Sequence, residues 1–111
     1  MLEIEIDPVN AQKWIDEGAL IIDVREPIEW IAGHAPDVTH IPLGFVEQNL
    51  ANLPRDQKVI VICRSGKRSL QATLAMREVG VNAYNLAGGM QAWQSAGLPV
   101  IAQGGEPGAV I

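Results

Sequence analysis

The most constraining stretch of this chain is Val59-Ile60-Val61-Ile62-Cys63, in which four β-branched residues lead into the only cysteine. A strand that is apolar at every position is buried on both faces, as in parallel sheets covered by helices. The strand runs into Arg64-Ser65-Gly66-Lys67-Arg68-Ser69, which holds three of the chain's eight Lys and Arg residues. A helical pattern begins at Ser69. A cysteine at the carboxyl end of a buried strand sits where open α/β sheets bind ligands. The stretch reads as a nucleophile set in an anion-binding cradle.

The rest of the chain limits what that cradle serves. With 111 residues it forms one domain, large enough to bury a core without staples. Net charge is −5, so broad attraction to nucleic acid or to an anionic membrane is not expected. A positive loop on an acidic body points instead to a small anion captured locally. One cysteine forms no internal disulfide and no two-thiol redox cycle, and a zinc site built on several thiolates is excluded. No metal or cofactor is called for. The amino terminus lacks the basic and apolar regions of a secretory signal, and no stretch approaches the ~20 apolar residues of a membrane span. The expected setting is soluble, reducing and cytoplasmic.

Read in order, the chain alternates strands and helices. Leu2, Ile4 and Ile6 alternate with Glu3 and Glu5 as in a half-exposed edge strand. Asp7-Pro8 reads as an N-cap followed by proline at the first helical position, and Gly18 ends that helix. Leu20 to Val24 is a buried strand. Pro27 opens a short helix that closes near Gly33. A loop from His34 to Gly44 carries a brief extended piece at Val38 to Ile41. Val46, Leu50 and Leu53 predict a short helix before Pro54. Lys58 to Ile62 is the central strand, and residues 69–79 form the helix after it. Asn82 to Leu86 is a last strand, and Gly88-Gly89 leads into a helix carrying Met90 and Trp93. This pattern predicts a mainly parallel sheet of about five strands with right-handed crossovers and helices on both faces. Residues 1–101 read as the domain. Residues 102–111 read as a Gly-rich tail, either mobile or docked by its apolar end on the domain or on a neighbour.

Thiolate, not thiol, is the nucleophile, and a free cysteine with a pKa near 8.5 is about one-tenth ionised at pH ~7.5. Three features favour ionisation of Cys63. The following helix directs its positive end at the loop. Backbone N–H groups of residues 64–68, with Gly66 free to adopt positive φ, form an anion-binding nest. Arg64, Lys67 and Arg68 add full charges. The same cradle suits a divalent oxyanion on arrival and a persulfide anion left on the sulfur.

Cys63-Arg64-Ser65-Gly66-Lys67-Arg68-Ser69 resembles the active-site loop of single-domain rhodaneses, the thiosulfate sulfurtransferase family. Asp23-Val24-Arg25-Glu26-Pro27 through Gly33-His34 and Ile41-Pro42-Leu43-Gly44 is similar to the family's amino-terminal signature. Asn85-Leu86-Ala87-Gly88-Gly89-Met90-Gln91-Ala92-Trp93, ending at Gly97-Leu98-Pro99-Val100, is similar to its carboxyl-terminal one. Asp37 and Val38 depart from the Gly and Ala often found there, and the tail after Ile101 has no evident counterpart. The resemblance implies a rhodanese-like three-layer fold and a ping-pong reaction. In that reaction Cys63 takes sulfur from thiosulfate or another anionic donor and passes it to cyanide, a thiol or a protein acceptor. Arg64, Ser65, Gly66, Lys67, Arg68 and Ser69 would hold the substrate. Asp23 and Arg25 end a neighbouring strand, a position from which they would brace the loop. An Arg25–Glu29 ion pair across one helical turn is an equally good account of Arg25.

Other readings of the loop stand beside this one. A phosphatase or arsenate reductase would need Cys-x5-Arg, but Ser69 holds the arginine position and Ile62 the position of the usual preceding His. Mercaptopyruvate transfer goes with an uncharged Cys-Gly-Ser-Gly loop. A persulfide relay loaded by a cysteine desulfurase, without turnover of its own, uses the same loop. Ser69 alternatively caps the helix. His34 reads as a hydrogen-bonding residue fixing its loop, Trp14, Trp30 and Trp93 as core, and Gly88-Gly89 as a close approach of backbone to backbone.

Overall fold

A computed structural model describes residues 3–111, so Leu2 of the expected edge strand lies outside the described residues. The elements run β1 (Glu5–Ile6), α1 (Pro8–Asp16), β2 (Leu20–Asp23), α2 (Pro27–Ala32), β3 (Thr39–His40), α3 (Val46–Asn49), β4 (Lys58–Ile62), α4 (Lys67–Glu78), β5 (Asn82–Leu86) and α5 (Gly89–Ser95). The five strands form one sheet in the order β1-β5-β4-β2-β3. All four pairings are parallel. β2 leads outward to β3, whereas β4 leads the opposite way to β5. The carboxyl ends of β2 and β4 therefore flank the point where the winding reverses, the usual ligand crevice of such sheets. Cys63 follows β4 at that point.

Alternation along β4 assigns each side chain to one of two cores. Val59, Val61 and Cys63 pack with Ala72 and Met76 of α4 and Val46 of α3. Ile60 and Ile62 pack with Ala11 of α1 and with Met90 and Trp93 of α5. Both faces are covered, which explains the unbroken apolar run. The three-layer α/β architecture agrees with the expectation from sequence.

Local chemistry sets several boundaries. Asp7 caps α1 by accepting the Asn10 backbone N–H at 2.9 Å, with Pro8 at the first helical position. Glu26 and Glu29 form a capping box around Pro27 at the start of α2. The helix expected over Val46 to Leu53 is instead broken, with α3 flanked by 3-10 turns at Leu43–Phe45 and Leu50–Asn52. Asp37 adopts φ 58° in the left-handed region that Asp tolerates better than most side chains.

Residues 102–111 return to the domain. The N–H groups of Gln103 and Ala109 donate to the carbonyls of Ile31 and Ala32, filling acceptors left open at the end of α2. Val110 packs on the core cluster that contains Trp93. A Cβ on Gly33 would lie 2.4 Å from the Ala109 carbonyl oxygen, so only glycine admits this approach. Truncation after Ala102 is expected to cost about 2 kcal/mol from lost hydrogen bonds and apolar burial. Thermal melts of the two chains check this, and an unchanged midpoint would mean that the tail contributes no stability.

Candidate active site

The chain turns sharply after β4 because α4 begins sooner than the sequence pattern suggests. The helix starts at Lys67 rather than Ser69, and Gly66 is its N-cap with φ 104°. An L-residue with a side chain would be strained there. Ser69 is therefore inside the first turn and does not cap the helix, which brings its side chain beneath the loop. It is fully buried, and its hydroxyl lies 3.2 Å from Cys63 Sγ. The Gly66 backbone N–H donates to the same sulfur at 3.1 Å. Cys63 itself is 1% exposed, so its sulfur forms the floor of the loop.

Burial alone would raise the Cys63 pKa, and it is the largest single influence. The Ser69 hydroxyl and the backbone N–H groups of Ser69, Gly66 and Ser65 together outweigh it and lower the pKa from 9.0. The thiolate is thus favoured mainly by hydrogen-bond donors rather than by the full charges of the loop. The sign of the pH linkage follows. The folded chain releases this proton more readily than the unfolded chain, so the associated stabilisation is complete above pH 9.0 and is lost as pH falls through the depressed folded value. Alkylation of Cys63 should follow a titration with its midpoint below that of the unfolded chain, and Ser69→Ala should move it upward. A midpoint unmoved by Ser69→Ala would remove the hydroxyl from this account.

The three basic residues do not act alike. The Arg68 guanidinium forms a forked pair with Glu29 of α2 at 2.8 and 2.9 Å, which ties α4 to α2 and offsets its charge, although it still interacts with the charge on Cys63. Hydrogen bonding to Arg68 holds the Glu29 carboxyl below its ordinary range. Arg64 and Lys67 are exposed, and neither pairs with a carboxylate among the described residues. Ser65 is also exposed.

Arg25 does not pair with Glu29. It lies before α2, outside the helical spacing that would bring the two together, and it turns back onto Asp23 at 2.8 Å with both side chains fully buried. Its other contact is the Gly33 carbonyl at 2.6 Å. The pair fastens the end of β2 to the segment after α2, beside the strand that carries Cys63. His34 Nδ1 bonds the Trp30 carbonyl at 2.6 Å, and His40 Nε2 bonds the Arg25 carbonyl at 2.7 Å. The two imidazoles lie against the Trp30 ring. Trp93 is buried as core, whereas Trp14 is partly buried.

Two further contacts were not apparent from the sequence. The N–H groups of Met90 and Gln91 at the start of α5 donate to the Cys63 and Arg64 carbonyls at 2.7 and 3.0 Å. Asn85 of β5 is fully buried, accepts from the Ser69 hydroxyl, and donates to the Gly66 carbonyl at 3.0 Å. Its sequence signals are its place at the head of the carboxyl-terminal signature and a polar side chain in a strand that flanks the central one. Such a residue requires partners when buried.

Residues 7–96 match the family model described as the rhodanese-like domain. The chain is 34% identical over 104 residues to a sulfurtransferase of Allochromatium vinosum, covering 93% of this chain and 97% of the relative. It is 32% identical over 100 residues to the thiosulfate sulfurtransferase GlpE of Pseudomonas entomophila, covering 89% and 92% respectively. Among solved structures, a rhodanese-related protein of Thermoplasma volcanium is similar with a TM-score of 0.83 and 32% identity, covering 89% of this chain and 98% of that one. The parallel five-stranded sheet and the cysteine loop at its winding reversal agree with these matches, and the chain belongs to the rhodanese-like domain family as a domain of the sulfurtransferase type.

Proposed function

We propose that this domain transfers sulfane sulfur from thiosulfate to cyanide or a thiol acceptor through a persulfide on Cys63. The observation that carries the reading is the buried sulfur held by the Ser69 hydroxyl and the Gly66 N–H, with its pKa lowered. The Cys63 thiolate attacks the outer sulfur of thiosulfate. A new S–S bond forms, the old one breaks, and sulfite leaves with the bonding pair. An acceptor nucleophile then attacks the terminal sulfur, and Cys63 leaves as thiolate. The positive charges of Arg64 and Lys67 face solvent, where they suit a dianion on approach. Arg68 is tied to Glu29, and Ser69 holds the position that the Cys-x5-Arg loop of phosphate transfer gives to arginine.

Mass spectrometry after thiosulfate treatment tests the first half-reaction: Cys63 should gain one sulfur atom, and a chain unchanged in mass would overturn the reading. Steady-state turnover with cyanide tests the second. Stoichiometric loading without turnover would assign the domain to persulfide relay. Lys67→Ala should raise the KM for thiosulfate about five-fold at low salt, with a smaller ratio at high salt. An unchanged KM at both salt levels would remove Lys67 from donor capture.

A further inference from the structure

We propose that Asn85 is a positioning residue for this chemistry, whose side-chain oxygen competes with Cys63 Sγ for the single proton of the Ser69 hydroxyl. The inference rests on Cys63 as the sulfur carrier. Asn85 Nδ2 donates to Glu5 Oε2 at 2.7 Å and to the Gly66 carbonyl at 3.0 Å. Both partners accept hydrogen bonds there, so the amide has only one consistent orientation, with Oδ1 toward Ser69. The Ser69 oxygen is in hydrogen-bond reach of both Asn85 Oδ1 and the sulfur. It has one hydrogen to give.

The hydroxyl proton therefore follows the state of the sulfur. While Cys63 is a thiol, Ser69 donates to Asn85 and keeps a lone pair toward the sulfur. When Cys63 ionises, the proton swings to the anion and leaves Asn85 Oδ1 as a buried acceptor without a donor, at a cost. Once the sulfur is loaded, the negative charge moves one atom outward to the terminal sulfur. Sγ is then a neutral bridging atom, and the proton returns to Asn85. The residue thus opposes the resting thiolate and favours the loaded state, which sharpens the nucleophile and eases its loading. The same amide holds the Gly66 carbonyl, and so fixes the residue whose N–H meets the sulfur.

The charged groups around this cluster are Glu5 of β1, the Asp23–Arg25 pair at the end of β2, the Glu29–Arg68 pair joining α2 and α4, and the exposed Arg64 and Lys67. All are the same in the variants compared, so a double-mutant comparison cancels them. Thiolate ultraviolet absorbance is followed against pH in the full chain, in Asn85→Ala, in Ser69→Ala and in the double variant. Asn85→Ala should lower the Cys63 pKa by about one unit. In the Ser69→Ala background the same substitution should produce no fall, because only the hold on Gly66 is then lost and a looser Gly66 N–H acts in the opposite direction. No fall with Ser69 present, or an equal fall in both backgrounds, would overturn the proposal.

A second measurement needs no variant. In the unsubstituted chain the Asn85 side-chain carbonyl carbon resonance should titrate with the thiolate midpoint, and a resonance that stays fixed while the thiolate forms overturns the proposal even if Asn85→Ala does not fold. Neither readout uses a sulfur donor. Absence of mass gain on Cys63 would sink the sulfur-transfer reading, whereas an absent coupling would sink only the role of Asn85.

Discussion

Cys63→Ser is expected to abolish sulfur transfer while leaving the fold intact. A serine oxygen forms no persulfide, and nothing adjacent would activate it. The two histidine rings are committed elsewhere, His34 to the Trp30 carbonyl and His40 to the Arg25 carbonyl. The site is built to stabilise an anion that forms readily rather than to remove a proton from a weak acid. Serine is close to cysteine in shape, and its oxygen accepts the Gly66 N–H that now meets the sulfur. Loss of stability should thus stay near 1 kcal/mol, the ordinary range for a single substitution. Thiosulfate:cyanide turnover should fall to the uncatalysed rate, and the mass gain after thiosulfate treatment should vanish, with a thermal melt close to that of the parent. Retained turnover in a folded Cys63→Ser chain would sink the proposed function.

Much of this arrangement was legible because it depends on neighbours in sequence. The four β-branched residues before Cys63 identify a strand buried on both faces, and alternation along it places Cys63 on the α4 side. Asp7-Pro8 and Glu26-Pro27 mark the starts of α1 and α2 through local capping. The cysteine and the basic loop after it mark the candidate site, since a charged loop on an acidic chain is a strong local contrast.

The partners of those charges were not legible, because they depend on which segments the fold brings together. Arg68 and Glu29 lie 39 positions apart, and only the docking of α2 against α4 makes them a pair. Arg25 and Glu29 have the spacing of helical neighbours, yet α2 begins at Pro27, so the spacing carries no geometric meaning at Arg25. Ser69 reads from sequence either as a hydroxyl donor in the loop or as a helix cap, and the start of α4 decides between them. Because α4 begins two residues earlier, at Lys67, Ser69 is a buried donor to the sulfur. The tail is a further case. Its composition leaves it either mobile or docked by its apolar end, and the N–H groups that complete α2 and the packing of Val110 on the core select docking on the domain.

Gly89→Ala should be the most damaging substitution outside the cysteine, and it tests whether the loop is shaped from below by α5. Two costs combine at this residue. Its φ of 60° places it in the left-handed region, which costs a residue with a side chain roughly 1–2 kcal/mol. A Cβ there would also lie 2.4 Å from the Cys63 carbonyl oxygen and 2.6 Å from the Arg64 carbonyl carbon and oxygen. These are backbone atoms with no rotamer to yield, and the same carbonyls accept the N–H groups of Met90 and Gln91. Relieving the contact moves the loop off its seat and weakens both bonds. Gly97 provides the control: its φ is 80°, but an added Cβ would meet nothing within 4 Å. Gly97→Ala should therefore lose only the conformational cost, whereas Gly89→Ala should lose about 3 kcal/mol or more, as expected when strain and overpacking combine. The folded fraction of Gly89→Ala should also turn over thiosulfate more slowly and show a Cys63 pKa closer to the ordinary value, because the displaced loop no longer aims its N–H groups at the sulfur. Equal melting points for the two variants would mean that α5 does not support the loop. A normal Cys63 titration in a destabilised Gly89→Ala chain would mean that it supports the fold but not the site.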